Sequence, residues 1–307
     1  MSEIDSKANI ILLVGGSGLI GRHLQKYLES KGYEIRILSR QQKPARDNYY
    51  HWDSNTGYIN KSAFIGNPII INLSGENIAT YWTTESKKRI LQSRILSIQT
   101  LKNNFIKERI HSPLIINASA IGIYGDCKEN ILDEDSAISR KDFMSEVVAQ
   151  WEDEADTLDP FCSRLIKIRI GLVLSNESGV WPKLLIGSIF RVLNWFGNGS
   201  QYYSWVHIDD LCRSIEFLIR NNSNSGVYNI TAPKPVTQKT LIHSISKVNQ
   251  KVYLMFGIPA WLLRLVVGEM SQIVLQSQRV IPKRLQSNGF HFQYEDIESA
   301  IKVLLKK

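Results

Sequence analysis

Residues 9–40 read NIILLVGGSGLIGRHLQKYLESKGYEIRILSR, and this stretch decides the fold. An apolar run, Ile10 to Val14, precedes glycines at 15, 16, 18 and 21. An amphipathic stretch to about Lys31, a Gly32-Tyr33 break and a second apolar run, Ile35 to Leu38, follow. Strand, tight turn, helix, strand is one βαβ unit with a glycine-rich turn at its first crossover. Glycine suits that turn because the chain must bend sharply, approach a pyrophosphate closely and seat the helix on its strand. The free N–H groups at the helix start, with the positive end of the helix dipole, then hold the anion.

The end of the second strand refines the ligand. An NAD site usually places Asp or Glu about 20 residues after the glycines, to bind the adenosine ribose hydroxyls. This chain has Ser39-Arg40 there, followed by Gln41, Gln42 and Lys43. A carboxylate repels a 2′-phosphate, whereas an arginine fork binds one bidentately. Arg22, just past the last glycine, offers a second positive charge. The pattern favours NADP(H) over NAD(H) as cofactor.

Around this unit the chain is ordinary in composition. Its 307 residues are 43% hydrophobic and 21% charged, as in soluble globular proteins. No leader of the secretory kind opens it, and no uninterrupted apolar run of membrane-spanning length occurs, so no membrane association is expected. Cys127, Cys162 and Cys212 are scattered and lack metal spacing, which points to free thiols in a reducing cytoplasm and to no metal. The formal charge of +8 is spread along the chain and does not form a stripe interleaved with aromatics. Anionic substrates or cofactors account for it, and no nucleic-acid partner is expected.

Strands and helices alternate onward from the first unit. Tyr49 to Trp52 reads as a short strand, Pro68 to Gly75 as a buried strand ending in small residues, and about Thr84 to Lys107 as a helix. A strand from Pro113 to Ala118, a helix from about Lys141 to Leu158 and a strand from Arg164 to Ile170 continue the series. Later come a helix over 209–221, a strand over 226–230 and a helix over 237–249 with Thr237 as its N-cap. The alternation predicts an α/β fold, a doubly wound parallel sheet with helices on both faces. Residues 9–175 form the expected cofactor-binding domain, with returns near 204–232. Residues 176–307 mostly supply a small C-terminal region for a small-molecule substrate, packed over the ligand edge.

The whole chain resembles the extended and atypical short-chain dehydrogenase/reductases, and within them the "epimerase family" of bacterial proteins with a human relative. The matching segments are GGSGLIGRHL at 15–24, NLSGENIA at 72–79, KKRILQSR ending at Arg94, SAIGIYGD at 119–126, QWE at 150–152 and RIGLVLS at 169–175. GNGSQYYSWVHIDDL at 197–211 and GEMSQIVLQSQRVIPKRLQSNGFHF at 268–292 are the narrowest of them. The resemblance implies a Rossmann fold and an NADP(H)-dependent oxidoreductase or epimerase-like activity on a carbonyl or sugar-like compound. It implies that Gly15, Gly16, Ser17, Gly18, Leu19 and Ile20 hold the pyrophosphate and that Ser39-Arg40 takes the 2′-phosphate. Ser74-Gly75 would line the ribose, Arg94 would face the cofactor, and Ala118-Ser119 would lie under the nicotinamide.

Catalysis departs from that family's pattern. Its members use a Tyr whose acidity a Lys four residues on increases. Aligned on the helix and QWE, this chain has Phe143 and Val147 at those positions. A literal Tyr124–Lys128 spacing exists, but in a loop, which does not hold the pair together as a helix turn does. Ser119 as hydrogen-bond donor and Tyr124 as acid are therefore the expected groups beside the reacting carbon. His207 with Asp209-Asp210 reads as a local cap, with Asp209 as N-cap, and Glu152 as a support beside Trp151. Two classes stay open: an enzyme, or an NADP(H)-binding sensor without turnover.

Overall fold

The computed structural model describes residues 9–41 and 48–306. Its first lobe begins with β1 (Ile10–Val14), α1 (Leu19–Ser30), β2 (Glu34–Ser39), β3 (Tyr49–Asp53) and β4 (Tyr58–Ile59). β5 (Ile69–Asn72), α2 (Thr84–Glu108), β6 (Ile115–Ala120), β7 (Ile131–Leu132), α3 (Phe143–Asp156) and β8 (Leu165–Ile170) follow. α2 and α3 both start on capping boxes, Thr83 with Ser86 and Asp142 with Ser145, so their first-turn donors are satisfied locally.

Beyond β8 the chain builds a second lobe and also returns to the first. β9 (Leu172–Leu174), α4 (Val180–Leu184), β10 (Val192–Phe196), β11 (Tyr202–Tyr203), β12 (Trp205–His207), α5 (Ile208–Arg220) and β13 (Gly226–Ile230) come first. β14 (Val236–Thr237), α6 (Gln238–Asn249), β15 (Leu254–Ile258), α7 (Ala260–Val267), α8 (Gln272–Leu275), β16 (Arg279–Val280), α9 (Lys283–Ser287) and α10 (Ile297–Leu304) complete the chain.

The main sheet has eight strands in the order β13-β8-β6-β5-β1-β2-β3-β4. Every neighbouring pair is parallel except β3 with β4. Its strands are buried on both sides, which explains why they read as continuous apolar runs. Alternation along β5 sorts the two cores. Ile69 and Ile71 face one layer with Leu24 and Leu28 of α1 and Leu211 and Ile215 of α5. Ile70 faces the other with Ile98 and Leu101 of α2 and Trp151 of α3. A third core, around Trp181, Trp205, Leu241 and Ile301, holds the second lobe together. Among the described residues no helix is long and apolar enough to cross a membrane.

The expected elements are present with ends shifted by a few residues, apart from one cap. His207, not Asp209, is the N-cap of α5, and its Nδ1 accepts from the Asp209 backbone N–H at 3.2 Å. The reason is the neighbouring charge. Asp210 is fully buried, and its carboxylate accepts from the Gln293 and Tyr294 backbone N–H groups at 2.9 and 2.8 Å while pairing with Arg213. This carboxylate pins the 290–294 segment onto α5. Asp210→Ala should destabilise the fold by about 3 kcal/mol, since two buried donors and a cation lose one charged partner. Chemical denaturation measures it, and a loss under 1 kcal/mol would show that the segment is held otherwise.

Candidate functional site

The glycine turn between β1 and α1 is held by backbone contact. Gly15 has φ +83°, and a Cβ there would lie 2.8 Å from the Leu73 carbonyl carbon. A Cβ on Gly21 would lie 2.5 Å from the Gly15 oxygen and 2.6 Å from the Gly16 Cα, so α1 is pressed directly onto the turn. Gly18 differs: a Cβ would meet only the Gly15 oxygen, at 3.5 Å. Gly18 is also the N-cap of α1, with no side chain capping the helix and no acidic residue in its first turn. Ser17 is exposed, and Leu19 and Ile20 carry the opening turn. The helix start therefore presents uncapped donors and a positive dipole end to an anion.

Ser39 closes β2, with its Oγ accepting from the Gln41 N–H at 3.2 Å, and Arg40 beyond it is exposed. Gln42 and Lys43 lie outside the described residues. Arg22 does not join Arg40. It donates to the Ser17 carbonyl at 2.8 Å and lies 3.6 Å from Glu177, which also sits 3.4 Å from His23 Nε2. Glu177, on the segment after β9, draws the second lobe onto α1, and no motif in the sequence marked it.

At the end of β5, Ser74 Oγ donates to Asn72 Oδ1 at 2.5 Å, and Asn72 Nδ2 donates to Asn117 Oδ1 on β6 at 2.8 Å. These two buried asparagines, absent from the sequence reading, stitch adjacent strand ends. A Cβ on Gly75 would meet the Arg94 guanidinium at 3.2 Å, so the loop packs closely on that side chain. Arg94 donates to the Ile90 and Glu76 carbonyls at 2.7 and 3.2 Å and lies over the Trp151 ring at 4.9 Å. Burial pushes its pKa down to about 10, with the Glu76 carboxylate opposing. Arg94 thus shapes the 75–76 loop from beneath.

β6 ends in Ala118, Ser119 and Ala120, and the turn after it, Ile121–Tyr124, packs on α3. Here the expected catalytic pair meets a buried charge network. Ser119, 3% exposed, donates to Glu152 Oε1 at 2.5 Å. Glu152 accepts Arg169 Nε and Nη2, both at 2.8 Å, as a bidentate fork. Arg169 Nη1 donates to the Tyr124 hydroxyl at 2.9 Å, and that hydroxyl shares its one proton between Asn229 Oδ1 and the Asp133 carbonyl, each at 2.9 Å. Burial raises the Tyr124 pKa against the lowering pull of Arg169. Burial also opposes the Arg169 charge, but the Glu152 carboxylate outweighs it and raises the pKa of that guanidinium.

The Ser119 and Tyr124 hydroxyls are committed to buried partners, so neither is a free donor beside a reacting carbon. Arg169 opens the RIGLVLS segment at 169–175, but nothing local in the sequence pairs it with Glu152 and Tyr124. As its loop position implies, the Tyr124–Lys128 spacing forms no pair: Tyr124 is buried and Lys128 is exposed with its backbone at φ +53°.

Phe143 opens α3, with its ring edge-on to Trp82 at 4.9 Å and the Lys87 Nζ 5.2 Å away, while Val147 is buried. His207 is buried against the Tyr294 ring at 4.2 Å. Burial lowers its pKa, with Asp209 and Asp210 opposing. Among the described residues no group of His, Cys, Asp and Glu is arranged to hold a metal.

Comparison with known proteins matches this geometry to a family. Residues 11–143 fit the model of the NAD dependent epimerase/dehydratase family, and residues 258–304 fit a domain of unknown function, DUF1731. The epimerase family protein YfhF of Bacillus subtilis is 33% identical over 298 residues, covering 96% of this chain and 97% of YfhF. The chain belongs to the epimerase family. Among solved structures, human epimerase family protein SDR39U1 with NADPH superposes with a TM-score of 0.84 at 26% identity, covering 96% of this chain and 98% of the human one. A nucleoside-diphosphate sugar epimerase from Corynebacterium glutamicum gives 0.77 at 28% identity, covering 96% of this chain and 57% of that one. The family model covers the glycine turn, and a nicotinamide cofactor fits the family.

Two variant sets test the site. Gly18→Val should fold normally, because space is open there, yet lose cofactor binding, because the side chain occupies the anion's approach. Gly21→Val should fail to fold or lose several kcal/mol, since its branches enter turn backbone. Circular dichroism and an NADPH titration separate the two, and retained NADPH affinity in Gly18→Val would show that the phosphate lies elsewhere. Tyr124→Phe should lower stability by about 1–3 kcal/mol, because Arg169 loses an acceptor inside the protein. An unchanged Tm would remove the hydroxyl from the network.

Proposed function

We propose that this chain is an NADP(H)-dependent oxidoreductase or epimerase-like enzyme acting on a carbonyl or sugar-like small molecule. The observation that carries the reading is Ser39-Arg40 at the end of β2, beside an uncapped α1 start. The pyrophosphate would lie on the turn from Gly15 to Ile20, the 2′-phosphate at Ser39 and Arg40, and the ribose near Ser74-Gly75. The nicotinamide would face Ala118 and the end of β6. The NADPH carried by the human relative supports the same choice. When bound, the cofactor supplies or accepts hydride; the chain's own residues orient it and bring a substrate to the strand ends. The free thiols of Cys127, Cys162 and Cys212 support a reducing compartment such as the cytoplasm.

One observation favours the second reading, an NADP(H) sensor without turnover. Phe143 and Val147 cannot transfer a proton, and the Tyr124 hydroxyl is already committed. Absorbance of NADPH over a panel of carbonyl compounds separates the two. Consumption with any member supports the enzyme, and stabilisation by NADPH without consumption supports the sensor.

Cofactor choice has its own test. NADPH should raise Tm more than NADH at equal concentration, since only it gains the arginine contact. Arg40→Asp should weaken NADPH binding about 10- to 100-fold, the value of one charged contact, and reverse the order. Equal shifts with both cofactors in the unmodified protein would overturn the assignment.

A further inference from the structure

The paired strands β10 and β15 leave an apolar face in solvent. They run parallel, with Val192 opposite Leu254, Asn194 opposite Phe256 and Phe196 opposite Ile258. Alternation sends Leu193 and Met255 inward to the core of the second lobe. It sends Leu254 and Phe256 outward, and both are exposed. A half-buried pair of strands ordinarily alternates apolar inside with polar outside, yet on this outer side Asn194 is the one polar partner.

The chain on either side extends the face. The turn Ile186–Phe190, which leads into β10, exposes Ile189 to 82% and Phe190 to 79%. α7, which follows β15, has no buried residue, and its Trp261 and Leu265 are 66% and 77% exposed. Backbone contacts hold the pieces together. The Leu254 N–H donates to the Arg191 carbonyl and the Gly197 N–H to the Ile258 carbonyl, both at 2.8 Å. A Cβ on Gly197 would lie 3.8 Å from that of Ala260 in α7. Exposed apolar side chains are commonplace singly, whereas a continuous apolar face marks a binding surface.

Charge identifies what it binds. The same segments carry Lys183, Arg191, Lys251 and Arg264, all exposed and none in an ion pair among the described residues. No Asp or Glu occurs from 178 to 208 or from 217 to 268. A second copy of the chain, docked face to face about a twofold axis, would set these cations against themselves. A bilayer with anionic headgroups answers both halves of the surface: apolar side chains enter the acyl boundary, and Lys and Arg stay among the phosphates.

We propose that this face of the second lobe lies on an anionic membrane, with Phe190, Leu254, Trp261 and Leu265 in the interface and the four cations at the headgroups. The nicotinamide reading plays no part in it. The sequence expectation of no membrane association rests on the lack of a spanning run, and no described helix is long and apolar enough to cross. Lying on a surface needs exposure, not a span, and exposure is a property of the fold.

The test mixes the full chain with vesicles of phosphatidylcholine alone, or of phosphatidylcholine and phosphatidylglycerol in equal parts, and measures the bound fraction by flotation. The protein should float with the mixed vesicles, at least about tenfold more tightly than with phosphatidylcholine alone, and added salt should weaken that binding. Arg191→Gln with Arg264→Gln should weaken it roughly 10- to 30-fold, at about fivefold per cation. Phe190→Ser with Leu265→Ser should abolish it. All four side chains are exposed, so both double variants should keep the Tm and circular dichroism of the unmodified protein. No binding to the mixed vesicles, equal binding to both kinds, or binding unchanged in either double variant overturns the proposal. A dimer seen by light scattering that Phe190→Ser with Leu265→Ser dissolves would give the face to a second copy and overturn it too.

Discussion

The contact of backbone on backbone at the glycine turn is the constraint on which the rest depends. Gly15 lies against the Leu73-Ser74 peptide, and Gly21 lies against Gly15 and Gly16. Three segments, the end of β1, the start of α1 and the end of β5, are fixed within van der Waals distance with no side chain between them. That closeness sets α1 on its strand, and the sheet order places β5 and β6 on one side of β1 and β2 on the other. Everything that could touch a dinucleotide is then arranged around one point of chain reversal, as open α/β sheets require.

The second organising element is electrostatic. Arg169 and Glu152 are buried together, and a buried pair tolerates its desolvation only if its remaining hydrogen-bonding positions are filled. Ser119 bonds Glu152 and the Tyr124 hydroxyl accepts from Arg169, while Asn229 and the Asp133 carbonyl accept from Tyr124 in turn. The result ties β6, β8, β13 and α3 into one rigid block at the strand ends.

Much of this was legible in the sequence, for physical reasons. Period and punctuation locate β1, α1 and β2, because a glycine-rich reversal between an apolar run and an amphipathic one has few other solutions. Ser39-Arg40 was legible because the residue after β2 is fixed by strand length. Long-range polar pairing was not. Asn72–Asn117, Glu152–Arg169 and Glu177 with His23 join residues 17 to 154 positions apart, and no local pattern encodes a partner at that distance. The cap of α5 failed for the same reason: Asp209 has the right chemistry locally, but the tertiary demands on Asp210 and the ring of Tyr294 place His207 there instead.

The partners of the buried network carry a consequence for biosynthesis. Tyr124 meets Asn229, 105 residues later, and Glu134 accepts from the backbone of Asn229 and of Arg284, 95 and 150 residues later. A nascent chain halted after β8 would hold Tyr124 and Glu134 without their later partners, Asn229 and Arg284. β13, which supplies Asn229, is also the strand that completes one edge of the sheet. Pairings of such sequence separation form slowly. The amino-terminal half, for all its recognisable cofactor motif, therefore waits on the ribosome for its last third and is exposed to chaperones and proteases in the interval.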